Sequence, residues 1–163
     1  MLRQLAVCAI VSLATIAIHA VVTTLVIAAA RGAVTWSARH ARAWLVAIMA
    51  ITVGILMLAH VAEIMAWAFA YRTVRATPVG ADSLYFAFVN YTTLGYGDVL
   101  PVARWRMLGP AAAMNGILMF GWSTAVIFEV LRSAVAIQET GNPSAPPAAP
   151  VVAPVPSSAG TRD

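Results

Sequence analysis

The chain has 163 residues, of which 61% are hydrophobic and 10% charged, with a formal net charge of +4. Its mean hydropathy of +0.85 and pI near 10.0 exclude an ordinary soluble domain. The basic residues are all arginine and scatter over segment ends instead of clustering on one face, which argues against a nucleic-acid partner.

Three runs are long enough to cross a bilayer, which takes about 20 apolar residues as a helix. The first, Leu5 to Ala30, predicts a transmembrane helix within residues 1–30, set peripherally against the next helix. Its apolar core exceeds the roughly 7–15 residues of a cleaved signal. Ala28-Ala29-Ala30 is the best cleavage candidate, and a retained helix is the expectation. Cys8 permits no disulfide within the chain and reads as a small helix- or lipid-facing residue, and His19 as a hydrogen-bonded helix residue. A link over 31–42 follows, carrying Arg31, Arg39, His40 and Arg42, which favours the cytoplasm.

The second run predicts a spanning helix over 43–70. His60 and Glu63 lie inside it one turn apart, and ionisable residues within a span are functional candidates. Structural bracing is favoured over proton sensing, with Asn90, Tyr91 or Thr92 as partners. The alternative puts both residues near the outer interface, paired with Arg72 or Arg75.

A polar link, Tyr71 to Arg106, separates this run from the third. Within it, Asp82 or Ser83 can cap an apolar, aromatic stretch, predicting a helix over 81–92. That helix has about half the length of a membrane crossing and must enter and return. Its C-terminal end would direct partial negative charge inward, favouring a cation. The next residues, Thr93-Leu94-Gly95-Tyr96-Gly97-Asp98, span 93–98, with two glycines able to take positive φ and align carbonyls.

The third run predicts a helix over 107–132. Ile117, Phe120, Thr124 and Phe128 share one face, which either lines a cavity or packs on a neighbouring helix. Gly116 and Gly121 are hinge candidates or small contact residues. Several of Trp36, Trp44, Trp67, Trp105 and Trp122 fall near expected membrane interfaces. The Pro-, Ala- and Ser-rich tail, 141–163, predicts disorder, or else a proline-rich ligand for a partner.

An enzyme is not expected. Three scattered histidines and one cysteine make no metal-ligand spacing, and neither a Gly-x-Ser-x-Gly turn nor paired carboxylates occur. No cofactor is expected either.

The Thr-x-Gly-Tyr-Gly-Asp order of Thr93 to Asp98, between two spanning runs, resembles the selectivity filter of the potassium channel pore-domain family. The resemblance covers residues 43–132 and implies an all-α membrane protein, with three transmembrane helices plus a re-entrant pore helix and filter. It implies that the carbonyls of Thr93, Leu94, Gly95 and Tyr96, with Gly97 in the same run and the Thr93 hydroxyl, bind potassium, the permeant ion. Asp98 would brace the filter, with Tyr85 in the usual place of a Trp and Thr92 beside them. Leu94 stands where Val is usual, Pro101 follows the filter as expected, and Gly116 falls at a gating-hinge position, one residue out of register. One filter strand cannot enclose an ion, so three identical subunits are the expected partners within the bilayer. The charge rule is close to a tie, and the resemblance sets the amino terminus outside and the tail in the cytoplasm; with no eukaryotic sorting signature in the chain, a bacterial inner membrane is the expectation. The alternatives are a non-selective cation channel and a non-conducting membrane regulatory or assembly subunit.

Overall fold

A computed structural model describes residues 1–32 and 41–140. The predicted tail, most of the link over 31–42, and Trp36 lie outside the described residues. Four α-helices follow in chain order: α1 (Leu2–Gly32), α2 (Ala41–Val74), α3 (Ser83–Tyr91) and α4 (Leu108–Thr140), with a 3-10 turn at Ala103–Trp105 before α4. No strand occurs among the described residues. Three segments, Leu2–Ala30, Ala43–Val74 and Ala103–Ala136, are long and apolar enough to span a membrane. Large apolar side chains stay exposed around them, among them Leu13, Met57, Phe69 and Phe128, as on helices that face lipid.

The element boundaries have local causes. α3 starts at Ser83 because Asp82, in extended geometry, caps it by accepting the Leu84 N–H at 2.8 Å. α2 runs one turn beyond the expected Ala70. It closes with Ala76 N–H donating to the Tyr71 carbonyl at 2.8 Å, while Arg75 takes φ 54°. This is the helix ending that glycine usually serves, here on an arginine, so no glycine marks it in the sequence. α4 likewise continues past the expected 132 to Thr140.

α1 packs along both α2 and α4, and α3 sits between α2 and α4. Its C-terminal turn comes so close to α4 that a Cβ on Gly109 would lie 2.9 Å from the Asn90 Oδ1. On the next turns, a Cβ on Gly116 would collide with the Tyr91 carbonyl oxygen. Two glycines seven residues apart thus form a saddle on one face of α4 for the end of α3. Around it lies a core of Ile64, Trp67, Tyr71, Phe86, Tyr91, Leu108 and Met119, with Cys8 of α1 among them. Trp67 is a core residue, fully buried, 0% exposed.

Several polar groups inside this bundle are paired across helices. Asn115 Oδ1 on α4 accepts the Thr15 hydroxyl of α1 at 2.8 Å and the Trp67 indole N–H of α2 at 3.1 Å. Thr15 has alternative acceptors at the Val11 and Ser12 carbonyls, whereas Asn115 is the acceptor of the indole N–H. Asn115→Leu should therefore cost about 1–3 kcal/mol, the penalty of a stranded buried donor. It should lower the thermal midpoint of the detergent-solubilised protein, followed by tryptophan fluorescence. Adding Trp67→Phe should then cost less than it does alone, since the stranded donor is gone.

Candidate functional site

The chain leaves α3 through a turn that reuses the helix's last carbonyls. Thr93 N–H donates to the Asn90 carbonyl at 2.9 Å, and Leu94 and Gly95 N–H both donate to that of Val89, at 3.0 and 3.3 Å. These contacts satisfy acceptors that a helix end leaves open. Beyond them the backbone alternates: Thr93, Gly95 and Gly97 take φ of 61°, 60° and 79°, and Leu94 and Tyr96 between them do not. In extended chain successive carbonyls point to opposite sides; alternation of hand turns them to the same side. Glycine adopts this hand without cost, whereas the β-branched Thr93 holds it under strain. Positive φ at Thr93 could not be read from residue type. The whole stretch Thr92 to Asp98 is exposed on the single chain.

The three residues expected to brace this stretch divide. Tyr85, on the first turn of α3, donates its hydroxyl to Asp98 Oδ2 at 2.6 Å, linking residues 13 positions apart on either side of the two glycines. The hydrogen bond to the Asp98 carboxylate raises the Tyr85 phenol above its ordinary pKa. Thr92 instead donates its hydroxyl at 2.7 Å to the Phe88 carbonyl of its own helix.

On α4, Ile117, Phe120, Thr124 and Phe128 are all exposed along one face, and Asn115, Gly116, Met119, Ser123, Val126 and Val130 are buried on the other. Gly116 lies on the packed side, under Tyr91. Of its two readings, close helix contact is the one visible in the packing. Gly121 has nothing within 4 Å of a Cβ built on it.

His60 and Glu63 enter a buried ring to which all four helices contribute. Glu63 Oε1 lies 2.7 Å from Nδ1 of His19 on α1. Its Oε2 lies 3.3 Å from His60 Nδ1 and accepts the hydroxyl of Tyr91, the last residue of α3. Ser123 Oγ on α4 closes the circuit, 2.9 Å from His60 Nε2 and 3.3 Å from His19 Nε2. Tyr91 is the partner anticipated for Glu63; Asn90 spends its amide on the Phe86 carbonyl. Pairing with Arg72 or Arg75 does not occur, because Glu63 is fully buried, 0% exposed. His19 and Ser123 were not foreseen in the ring. A histidine within an apolar span signals a partner, but nothing in the sequence pairs it with a helix 44 residues away.

His19, His60 and Glu63 bring one nitrogen or oxygen each within 4.8 Å of one another. The carboxylate, however, lies between the imidazoles with one oxygen towards each. That is the geometry of a hydrogen-bonded ring, not of ligands arranged around a common ion.

With this geometry in hand, comparison with known proteins gives one result. Residues 59–133 match a family model described as "Ion channel". No curated protein and no solved structure matches the chain. The matched segment takes in the second half of α2, all of α3, the Thr92–Asp98 stretch and most of α4, and leaves α1 outside.

The saddle itself is testable. Gly116→Ala places a methyl against main chain, so α3 and α4 must separate. Over-packing of this kind costs about 1–3 kcal/mol. The variant should unfold at lower temperature in detergent than Gly121→Ala, whose new methyl meets open space. Equal melting of the two variants would show that the seat tolerates more than its geometry allows.

Proposed function

We propose that this chain, whose residues 59–133 match an ion-channel family model, is the subunit of a potassium-selective pore. The family match and the three apolar helices support a multi-pass membrane protein of ion transport. The finer reading rests on one observation: the alternation of positive φ at Thr93, Gly95 and Gly97, directly after a helix of nine residues. A dehydrated potassium ion needs oxygens stacked at fixed spacing, and successive carbonyls turned to one side supply them. Leu94 contributes its carbonyl as Val would, so its longer side chain leaves the oxygen ladder unchanged.

In this reading α3 is a re-entrant pore helix, Thr93 to Gly97 is the filter, and Tyr85 with Asp98 braces its outer end. Four copies close the ring. The exposure of Thr92 to Asp98 and of the Ile117, Phe120, Thr124 and Phe128 face supports this, since both would turn inward on the four-fold axis. The amino terminus lies outside and the tail in the cytoplasm. The permeant ion needs no cofactor.

Reconstitution into liposomes tests the proposal. A tetramer by mass in detergent should pass potassium down its gradient and exclude sodium. A verified tetramer that passes neither ion would support the non-conducting subunit instead, and equal passage of both would support a non-selective cation pore. Gly95→Ala puts a side chain at φ 60°, which costs about 1–2 kcal/mol. It should abolish selective flux while leaving the protein in the membrane; retained selectivity would overturn the filter assignment. Tyr85→Phe deletes the 2.6 Å bond to Asp98 at an exposed site. It should leave folding intact and raise sodium leak relative to potassium flux.

A further inference from the structure

The ring of His19, His60, Glu63, Tyr91 and Ser123 has a countable set of hydrogens. Neutral imidazoles carry one each, and the two hydroxyls one each. Those four satisfy four contacts: His19 Nδ1–H to Glu63, Tyr91 O–H to Glu63, His60 Nε2–H to Ser123, and Ser123 O–H to His19 Nε2. His60 Nδ1 is then left as a lone pair facing two oxygens, Glu63 Oε2 and the Tyr91 hydroxyl, each at 3.3 Å. No hydrogen lies between them. A fifth proton, on His60 Nδ1, supplies it.

Charge leads to the same count. Glu63 is fully buried, 0% exposed, in a membrane-spanning helix. Its ion-pair partners among the described residues are the two imidazoles alone. An ionised carboxylate in that setting is costly unless a positive charge stands beside it. The groups facing His60 are His19 from α1, Glu63 from its own helix, and Tyr91 from α3. α4 presents the Ser123 hydroxyl and the ring of Phe120, whose centroid is 4.7 Å from that of His60. His60 is the imidazole whose protonation both completes the hydrogen bonds and neutralises the ring.

We propose that this ring is a one-proton site, with the proton held on His60, that positions Tyr91 and through it the filter. Tyr91 ends α3, and its neighbours Val89 and Asn90 carry the carbonyls on which Thr93, Leu94 and Gly95 hang. Loss of the proton leaves a lone pair of His60 against the Tyr91 and Glu63 oxygens, together with an unbalanced carboxylate. The Tyr91 hydroxyl still donates to Glu63, but it loses the His60 N–H beside it and faces that lone pair instead. α1 becomes part of the pore's support through His19, although it lies outside the family match. The positioning role, though not the proton, rests on the pore reading above.

Nitrogen-15 NMR of histidine-labelled protein in detergent tests the proton directly. A His40→Gln background leaves only the two ring imidazoles of the three histidines. From about pH 5 to pH 9, one imidazole should be protonated on both nitrogens at the acid end and lose that proton as pH rises. Glu63→Gln, which removes the charge, should abolish the imidazolium. Two neutral imidazoles in the wild-type ring throughout would overturn the proposal. Potassium flux from liposomes should fall over the same range in which the imidazolium is lost. His60→Asn keeps a donor near Nδ1 but cannot titrate, so its ratio of acid to alkaline flux should approach about one. Flux that ignores pH while the imidazolium titrates would refute the positioning role. An imidazolium that titrates as expected in a tetramer passing no ion at any pH would instead sink the pore reading and leave the proton site standing.

Discussion

Tyr91 is fixed at both ends. Its main-chain carbonyl rests against Gly116 of α4, and its hydroxyl is received by Glu63 of α2. The short helix it terminates has only nine residues to bury, too few to be stable alone. Its position comes from these contacts, from Phe86, which packs with Tyr71 at a centroid separation of 5.0 Å, and from the Asp82 cap. The Thr92–Asp98 stretch inherits its place from that helix end, because three of its amides hang on the carbonyls of Val89 and Asn90.

A membrane bundle has no water to satisfy a misplaced polar group, so polar side chains within it must answer one another. This chain concentrates them in two layers. Thr15, Asn115 and Trp67 join α1, α4 and α2, and the Glu63 ring, about one turn of α1 further on, joins all four helices. Both layers take a residue from α1. The helix that the family match omits is thereby stitched to the part that the match includes. Its side chains enter the same core as the end of α3.

On the reading as a potassium pore, the division of labour is spatial. Backbone oxygens near the chain's exposed edge would meet the ion, and side chains deep among the helices would hold the backbone still. Tyr85 and Asp98 tie the outer end of the stretch to the start of α3, while Glu63 and Gly116 hold the inner end. Stiffness supplied from behind leaves the oxygens free for an ion.

Much of this was legible in the residues. Long apolar runs announced three spanning helices, because the bilayer's thickness sets a length that few other structures need. Asp82 announced the start of α3 by its capping chemistry, and two glycines announced where the backbone could change hand. The Ile117, Phe120, Thr124 and Phe128 face followed from helical spacing alone. Other features belong to the tertiary structure only. Positive φ at Thr93 and Arg75 runs against residue preference and is imposed by the turns in which they sit. Trp67 lies in the core, where Asn115, 48 positions away, accepts its indole N–H. Sequence showed that Glu63 and His60 share a face and needed partners, since neither group is tolerated bare in a membrane. Which partners they found, His19 and Ser123 as well as Tyr91, depended on how four helices cross, and spacing along one helix carries no record of that.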